Sequence, residues 1–593
     1  MNYPIKWNLE NIFAGGADSP ALKAELEQIQ QNMTTLEALL QSNNLLSLEQ
    51  VKEATAIYSE LLFSLRETSA FAGCLTAQNT GDKQAAVIYG KTQTLVASAQ
   101  SLMSLFEAKL SYIDDATWSN YLQDEQLKLV AYNLNEIRDV AKQKMSPELE
   151  ALVSELAVDG YHGWGDFYNG MVSKTKFEWK NESGEIEHLS AGQMFNKLSE
   201  PNRETRAKAF EVWEQTWGTQ ADYAADIMNH ITGFRLKLYE KRKWDSVLAE
   251  PLRMNRMKAE TLNAMWSAVE NAKEVLVPYF KRKAELLNVE KLDWHDVDAP
   301  IAKSTQKVSF DDAAKYIIEQ FNKFSPKLAQ FSERAFKEAW IEAEDRSGKR
   351  PGGFCTSFPK SKETRIFMTY SGTKGNISTL AHELGHAYHQ HVMDNLPALS
   401  QEYAMNVAET ASTFAELIMM DSALKEATDS QEQLALVEEK IQNAVAFMMN
   451  IHARFVYETS VYEKRKEGPL TSDQYTELVL DAEEKCFLGL INTKHANFWV
   501  SKLHFYLTDV PFYNFPYTFG YLFSAGIYQL AKNEGPSFAA KYDALLEDTG
   551  RLSVEELAQK HLGVDLTKVD FWEQAARAVT ADVELFIKLT DKN

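Results

Sequence analysis

Residues 378–393 read STLAHELGHAYHQHVM and contain the pattern HELGH at positions 382–386. Residues four positions apart lie on one face of a helix, so His382 and His386 can both bind a single metal ion. Glu383 follows the first histidine directly and can contact a water molecule bound to that ion. Zinc lowers the pKa of such a water towards about 7. The pattern therefore predicts a zinc site in which Glu383 takes a proton from water as general base.

The residues around this motif favour a helix. The stretch has no proline, its one glycine is Gly385, and Pro397 follows soon afterwards. Asn376 or Ser378 can cap the start of such a helix. The other interpretation is a surface helix with incidental histidines.

A catalytic zinc ion needs a third protein ligand and an open fourth position. The longer three-histidine pattern requires glycine at 389 and histidine at 392, where this chain has His389 and Val392. The third ligand is therefore not a histidine of that pattern. His389 either orients a metal ligand or is a hydrogen-bonded polar residue, and His391 is predicted to be structural or exposed.

A carboxylate from a second helix is the alternative third ligand. Residues 400–424 predict such a helix, on which Glu402, Glu409 and Glu416 recur every seven residues. Spacing alone does not choose among the three glutamates. A solvent-exposed acidic face is the other interpretation of this repeat.

Composition and net charge indicate which classes of binding partner to expect. The chain has 593 residues, 45% of them hydrophobic and 25% charged, and a formal net charge of −22. This is an ordinary globular composition, and the negative charge repels phosphate backbones and anionic lipid. We therefore expect no nucleic acid and no membrane among its partners, and the sequence does not indicate an oligomeric state.

The first residues of the chain and its cysteines indicate the cellular compartment. The first residues, MNYPIKWNLENIF, lack the features of a signal peptide, and no run of 18 apolar residues follows. Three separated cysteines do not form a disulfide framework or a cysteine-rich metal site. A cytoplasmic location is predicted.

Most of the chain is predicted to be helical. Glycine (26) and proline (15) are scarce for this length, which favours long helices. Apolar residues recur at helical spacing in three N-terminal segments, 19–42, 46–77 and 82–113.

Two patches have the character of strands. VSKTKFEWK and EIEHLS flank a turn at 181–184, which predicts a β-hairpin and a change of domain near 172–200. We place a boundary there, between an N-terminal helical domain (1–200) that ends in the hairpin and a catalytic domain (201–593). The hairpin could also lie inside a single helical domain. The second patch, within 350–371, has two short runs, Phe354 to Phe358 and Arg365 to Tyr370.

Three longer motifs resemble one protein family. HELGHAYH followed by NVAETASTFAE looks like the oligoendopeptidase F branch of the thimet-oligopeptidase-like zinc metallopeptidases. TYSGTKGNISTLAHELGHAYH is close to that branch's core signature, and the C-terminal FYNFPYTFGYLFSAG is also similar to it. The resemblance covers residues 200–590 well.

The resemblance implies a metal site and its architecture. One Zn²⁺ per chain would be held by His382, His386 and Glu409, with Glu383 as base and Glu416 as a candidate to orient a ligand. The implied fold is mostly α, a two-lobed helical shell around a deep substrate channel, with a small β-hairpin and edge-strand region next to the zinc helix. An edge strand at about 365–371 would pair with the backbone of short peptide substrates.

The resemblance also implies donors for the oxyanion that forms during peptide hydrolysis. The catalytic candidates are His504, Tyr513, Tyr517 and Tyr521. Phe515 stands where many members of the branch carry another tyrosine, so the tyrosine that acts is left open.

The predicted function is a zinc-dependent endopeptidase that hydrolyses internal bonds of short oligopeptides. The alternative is a helical zinc carboxypeptidase-type exopeptidase with the same HExxH geometry. A non-catalytic binding shell with a relic site is a third possibility, and the intact Glu383 argues against it.

Overall fold

The fold is mostly α-helical, as the sequence predicts. A computed structural model describes residues 2–42, 45–302 and 307–591, and these contain long helices and five short strands. The chain divides into two compact units, each built from three separate segments. The sequence domains 1–200 and 201–593 stay a prediction.

The first unit comprises Met1–Lys144, Thr305–Ser422 and Ile527–Val564. The helices that begin in it are Pro20–Ser42, Leu48–Gln78, Lys83–Ser111, Asp115–Tyr121, Glu125–Lys128, Ala131–Lys142, Phe310–Phe324, Pro326–Lys337, Lys374–Met393, Met405–Ala408, Thr410–Glu426, Phe538–Asp548 and Val554–Leu562.

The second unit comprises Met145–Ser304, Ala423–Gly526 and Asp565–Asn593. The helices that begin in it are Pro147–Ala157, Gly163–Lys174, Ala191–Lys197, Arg203–Gly218, Ala221–Arg242, Ala249–Met254, Ala259–Ala272, Val277–Leu286, Trp294–Val297, Ser430–Val445, Ile451–Arg465, Ser472–Cys486, Phe498–Ser501, Phe515–Glu534, Val569–Thr580 and Val583–Thr590.

The three predicted N-terminal helices are confirmed to within a few residues at each end. Ser47 starts the second of them with a capping box to Gln50, in which each side chain bonds the other's backbone N–H. The apolar stripes meet in one core that contains Leu36, Leu61 and Phe106, all fully buried. Burial of these stripes, rather than helix propensity, holds the long helices together.

The predicted hairpin is also confirmed. Strands β1 (Phe177–Lys180) and β2 (Ile186–Leu189) pair antiparallel. Alternate β1 side chains are buried, and Phe177 stacks on Trp213 with ring centroids 5.2 Å apart. The hairpin thus packs one face onto the helical core of the second unit.

The first unit contains a three-stranded sheet. Its strands are β3 (Ile341–Glu342), β4 (Phe354–Phe358) and β5 (Glu363–Phe367), in the order β3-β5-β4. The prediction of a strand from Phe354 to Phe358 is confirmed. The prediction of an edge strand at 365–371 is wrong, because β5 ends at Phe367 and is paired on both sides.

Strand β4 is one of the two edges of this sheet, and β3 is the other. The N–H of Ile366 donates to the Trp340 carbonyl on the β3 side, so its neighbours in β5 pair with β4. Cys355 lies opposite Ile366, and Ser357 is two residues further along β4. The backbone amides of Cys355 and Ser357 therefore point away from β5.

No helix within 2–42, 45–302 and 307–591 is both long enough and apolar enough to cross a membrane.

Candidate metal centre

The motif helix, Lys374–Met393, carries the HELGH residues. Its cap is Thr373, whose hydroxyl accepts from the Asn376 N–H at 3.2 Å while the Asn376 side chain accepts from the Thr373 N–H. The prediction of Asn376 or Ser378 as the cap is wrong, because Asn376 acts from the third position of a capping box. The box starts the helix three turns before His386.

Glu409 lies at a break in the backbone. The predicted single helix over 400–424 is instead a 3₁₀ turn at Ala398–Gln401, a short helix at Met405–Ala408 and a long helix at Thr410–Glu426. Glu409 occupies the junction, with φ −84° and ψ 3°. The Ser412 hydroxyl donates to Glu409 Oε2 at 2.7 Å and holds the carboxylate in position.

Three side chains converge on one point. His382 Nε2 and His386 Nε2 lie 3.2 Å apart, and each lies 3.4 Å from Glu409 Oε2. Tetrahedral zinc, with bonds of about 2.0–2.2 Å, places neighbouring ligand atoms about 3.3–3.6 Å apart. The residues present therefore fit a zinc ion with three protein ligands.

Glu416 orients one of these histidines. His382 Nδ1 lies 2.6 Å from Glu416 Oε1, and a carboxylate can only accept, so Nδ1 donates and Nε2 of the neutral ring keeps its lone pair. Burial opposes protonation of His382, but the hydrogen bond to Glu416 and the nearby carboxylates raise its pKa to about 9. Metal uptake by this histidine would therefore release a proton.

Glu409 and Glu402 lie in different electrostatic surroundings. Burial acts to raise the pKa of Glu409, but the hydrogen bond and charge of His386 outweigh it and lower the pKa to about 2. Glu409 is therefore ionised and ready to bind a cation. Glu402 forms an ion pair with Arg66 at 3.4 Å. Tertiary contacts thus assign three different environments to residues that are equivalent by spacing.

Glu383 faces the same cavity. Its side chain is 7% exposed, and burial raises the pKa of its carboxyl. The cavity has a volume of about 600 Å³ and is lined by the three converging residues, Glu383 and much of β4. A carboxyl with a raised pKa beside a metal-sized cluster is suited to accept a proton near neutral pH.

Two glycines control the approach of the backbone to this site. A Cβ on Gly385 would lie 2.5 Å from the Ala411 carbonyl oxygen and 2.6 Å from Ser412 Cα. Gly385 therefore lets the motif helix touch the helix that follows Glu409. A Cβ on Gly353 would lie 3.3 Å from the Phe367 carbonyl oxygen and 3.4 Å from Glu383 Oε1, so this glycine lies beside the carboxylate in a closely packed position.

Sequence reasoning missed Ser412, Gly353 and the role of Gly385. The last was visible as the only glycine of the predicted helix, where glycine costs stability unless packing requires it. No feature of the neighbouring sequence indicates a role for Ser412 or Gly353.

The remaining histidines of the motif helix do not join the cluster. His389 is fully buried, stacks on Tyr403 and lies 2.8 Å from the Thr549 hydroxyl. Burial lowers its pKa to about 3, which supports the interpretation of a hydrogen-bonded polar residue. His391 is half-buried, with Asp394 at 3.0 Å.

The candidate oxyanion donors lie in the second unit. His504 is on a 3₁₀ turn, and its ring centroid is 5.2 Å from that of Tyr513. The Tyr517 hydroxyl donates to the Tyr513 hydroxyl at 3.2 Å. Tyr521 is buried and stacks on Phe447. The first three form one polar cluster, and Tyr521 is placed for packing.

Comparison with known families decides the assignment. The model of peptidase family M3 matches residues 193–578, and a second model, oligopeptidase F, matches residues 109–177. The chain belongs to peptidase family M3.

Curated members of the family align along most of the chain. Oligopeptidase PepF of Bacillus subtilis is 23% identical over 586 residues, covering 96% of this chain and 85% of the relative. An oligoendopeptidase F homologue of Lactococcus lactis is 23% identical over 611 residues, covering 99% and 98%. The resemblance to the oligoendopeptidase F branch is thereby confirmed.

Solved structures share the fold. A structure from Chlamydophila abortus superimposes with a TM-score of 0.87 at 17% identity and covers 98% of both chains. Oligoendopeptidase-F from Enterococcus faecium superimposes with a TM-score of 0.70 at 18% identity, covering 97% of this chain and 98% of that one. The mostly-α class is that of these M3-like structures, and the chain is a metalloendopeptidase of this family.

Proposed function

We propose that this M3 peptidase hydrolyses internal bonds of short peptides with one Zn²⁺ ion, held by His382, His386 and Glu409. The observation that carries the proposal is the triangle of ligand atoms, with sides of 3.2, 3.4 and 3.4 Å. The names of the relatives, oligopeptidase and oligoendopeptidase F, support peptides as substrates.

Zinc, when bound there, supplies a Lewis acid that polarises the scissile carbonyl and lowers the pKa of water towards about 7. Glu383 accepts a proton from the attacking water and delivers it to the leaving amine. Its burial favours this role, because the raised pKa of its carboxyl brings it closer to the working pH. Glu416 keeps His382 in the tautomer that offers Nε2.

Donors for the oxyanion are proposed from the candidates that the family resemblance implies. His504, Tyr513 and Tyr517 are the candidates, and Tyr521 is the least favoured because its ring packs on Phe447. Burial, together with the charges of Arg454 and Lys502, lowers the pKa of His504 to about 4. A neutral imidazole at working pH can donate one hydrogen bond.

The substrate backbone is proposed to pair with β4. Phe354, Thr356 and Ser357 line the cavity, and the amides of Cys355 and Ser357, which point away from β5, can bond an extended peptide. A peptide added to a sheet edge gains backbone hydrogen bonds without reading its side chains. This supports a peptidase of broad specificity.

A proline at position 355 tests this edge. Cys355→Pro removes an outward N–H while leaving the β4–β5 hydrogen bonds intact, as proline is tolerated on edge strands. We expect kcat/KM for a neutral peptide to fall by about 2–10-fold relative to Cys355→Ala, since one hydrogen bond contributes about 0.5–1.5 kcal/mol. Steady-state hydrolysis of the two variants measures this. Equal kcat/KM values would place the substrate elsewhere.

The metal ligands are tested by metal content. We expect Glu409→Ala to abolish stoichiometric zinc, because it removes one of the three ligands. Glu416→Ala should retain zinc with affinity about 10–100-fold weaker, since it acts through His382. Zinc content after dialysis, with a chelator titration for affinity, separates these outcomes. A fully metallated Glu409→Ala enzyme would overturn the assignment of the third ligand.

Product analysis of an end-blocked peptide tests the reaction class. An endopeptidase is expected to cleave the blocked peptide at an internal bond, and mass spectrometry of the products detects this cleavage. Failure to cut the blocked peptide, with cutting of its free-ended counterpart, would favour the exopeptidase alternative.

A further inference from the structure

The cavity of the metal centre contains a cation that the proposed mechanism does not use. Among the described residues that line this cavity, Arg66 is the only lysine or arginine, while Glu383, Glu402 and Glu409 also line it. Arg66 lies on the helix Leu48–Gln78, and its side chain is 25% exposed. All of these residues belong to the first unit.

Four acceptors contact the Arg66 guanidinium at different distances. Nη2 donates to Ser357 Oγ at 3.0 Å and to Gln390 Oε1 at 2.9 Å. Nη1 donates to Gln401 Oε1 and to Glu402 Oε1, both at 3.4 Å. The two Nη1 contacts are longer than the usual N–H···O range of about 2.7–3.2 Å. Arg66 is therefore firmly positioned through Nη2 and weakly bound through Nη1.

The counter-ion of Arg66 is easily replaced. Within the part of the chain that the structure describes, Glu402 is its one carboxylate partner, and the Glu402 side chain is 53% exposed. Exposed ion pairs contribute little to stability, because water competes for both charges. A second carboxylate inside the cavity can therefore exchange with Glu402 on the guanidinium at small cost in free energy.

The contact with Ser357 places Arg66 beside the proposed path of the substrate. Ser357 is one of the two β4 residues whose amides point away from β5. In a peptide paired with β4, the residue opposite Ser357 places its side chain on the same face of the sheet as the Ser357 hydroxyl. The Cβ atoms of such neighbours lie about 4.5–5.5 Å apart, so a side-chain carboxylate at that position can reach Arg66.

The register along β4 indicates which peptide residue this is. Gly353, directly before β4, lies beside the carboxylate of Glu383, where the proposed base acts on the cleaved bond. Ser357 follows four residues later, which is about 13 Å in an extended strand. An extended peptide therefore brings a residue about four positions from the cleaved bond to Arg66.

We propose that Arg66 determines specificity by binding a carboxylate of the substrate peptide, about four residues from the cleaved bond. This rests on the proposed peptidase function and specifies its substrates further. The carboxylate can be an Asp or Glu side chain, or the C-terminus of a peptide that ends at this position. Arginine suits both, because its planar guanidinium remains charged at working pH and donates charge-assisted hydrogen bonds to carboxylate oxygens.

Two sets of matched quenched fluorescent peptides test the proposal with the zinc-loaded full chain. In the first set, an amidated peptide carries Glu or Gln at one position, which is scanned on both sides of the cleaved bond. In the second set, peptides of increasing length end in a free acid or an amide. We expect the carboxylate member to have at least about tenfold higher kcat/KM at one position or one length, because hydrogen bonds to charged groups are the stronger ones. A preference in the first set identifies a side chain, and a preference in the second identifies the C-terminus.

Variants connect that preference to Arg66. Arg66→Gln should reduce the ratio of kcat/KM between the carboxylate and neutral members by about tenfold. Arg66→Lys, which keeps the charge but not the planar group, should retain part of the ratio. Loss of the contacts to Ser357 and Gln390 would by itself lower kcat/KM for both members alike, so the ratio separates recognition of the substrate from a structural role.

Arg334→Gln is the matched control. Arg334 also pairs with a glutamate of the first unit, Glu338 at 2.9 Å, and is not among the residues that line the cavity. This variant should leave the ratio unchanged. Calorimetry of the same peptides with the Glu383→Gln enzyme should reproduce the ratio in dissociation constants, without turnover.

The outcomes are distinct. Equal kcat/KM values for both members of every pair with the wild-type enzyme would overturn the proposal without the need for any variant. A ratio that Arg66→Gln does not alter would overturn it as well, and both results leave the peptidase function intact. No cleavage of any peptide by the wild-type enzyme would instead contradict the proposed function.

Discussion

Replacement of Glu383 by glutamine is expected to lower kcat by about 10²–10⁴-fold, the usual contribution of a general base. Glutamine has the same shape as glutamate but cannot accept the proton from water. Zinc content should stay at one per chain, because the three atoms of the ligand triangle belong to other residues. Steady-state kinetics and metal analysis of the same preparation measure both quantities.

Glu402→Gln is the matched control for this change. It alters another carboxylate of the same cavity, one that pairs with Arg66. Its effect on kcat should be less than about tenfold, since a partly exposed ion pair contributes at most about 1 kcal/mol. Near-normal turnover by the Glu383→Gln enzyme would remove Glu383 as the base.

Replacement of Gly385 by alanine is expected to damage both the fold and the metal site. The added methyl group would meet backbone atoms of Ala411 and Ser412 at 2.5–2.6 Å, and backbone cannot move aside as a side chain can. Overpacking of this kind costs about 1–3 kcal/mol. Separation of the two helices also moves Glu409 away from His382 and His386, so zinc affinity should fall by at least about tenfold.

Gly375→Ala on the same helix provides the control. A Cβ there meets only the Thr373 hydroxyl, at 3.9 Å, and the position is exposed. Alanine is favoured over glycine in a helix by about 0.5–1 kcal/mol, so this variant should be as stable as the wild type or more so. Thermal unfolding of the metal-free enzymes, together with zinc titration, compares the two. If both variants unfold alike and bind zinc alike, the close helix contact does not control the site.

The long helices could be predicted because their signals are local. The periodic apolar residues of 19–42, 46–77 and 82–113 and the β-hairpin turn near 181–184 each lie within one element. Errors arose where an element's neighbour is distant in sequence. The family resemblance implies an edge strand at about 365–371, but β5 is an inner strand because β3, at Ile341–Glu342, pairs with it on the side away from β4. Nothing in the local sequence indicates β3 as a strand.

The glutamate repeat illustrates the same limit. Glu402, Glu409 and Glu416 are equally spaced, and only the family resemblance distinguished Glu409. The structure gives a physical reason for that choice: the helix breaks at Glu409, Ser412 holds its carboxylate, and Gly385 admits the backbone beside it. None of these three features is encoded in the spacing.

The sequence by itself determined that His382 and His386 share one helical face, with Glu383 next to the first of them in sequence, because helix geometry alone brings residues four positions apart together. Tertiary structure alone brings the Glu409 carboxylate to the two histidines, places Glu416 beside His382 Nδ1 and turns two amides of β4 away from β5. Those groups are separated by tens of residues along the chain, and packing of helix against helix and strand against strand brings them within hydrogen-bonding distance.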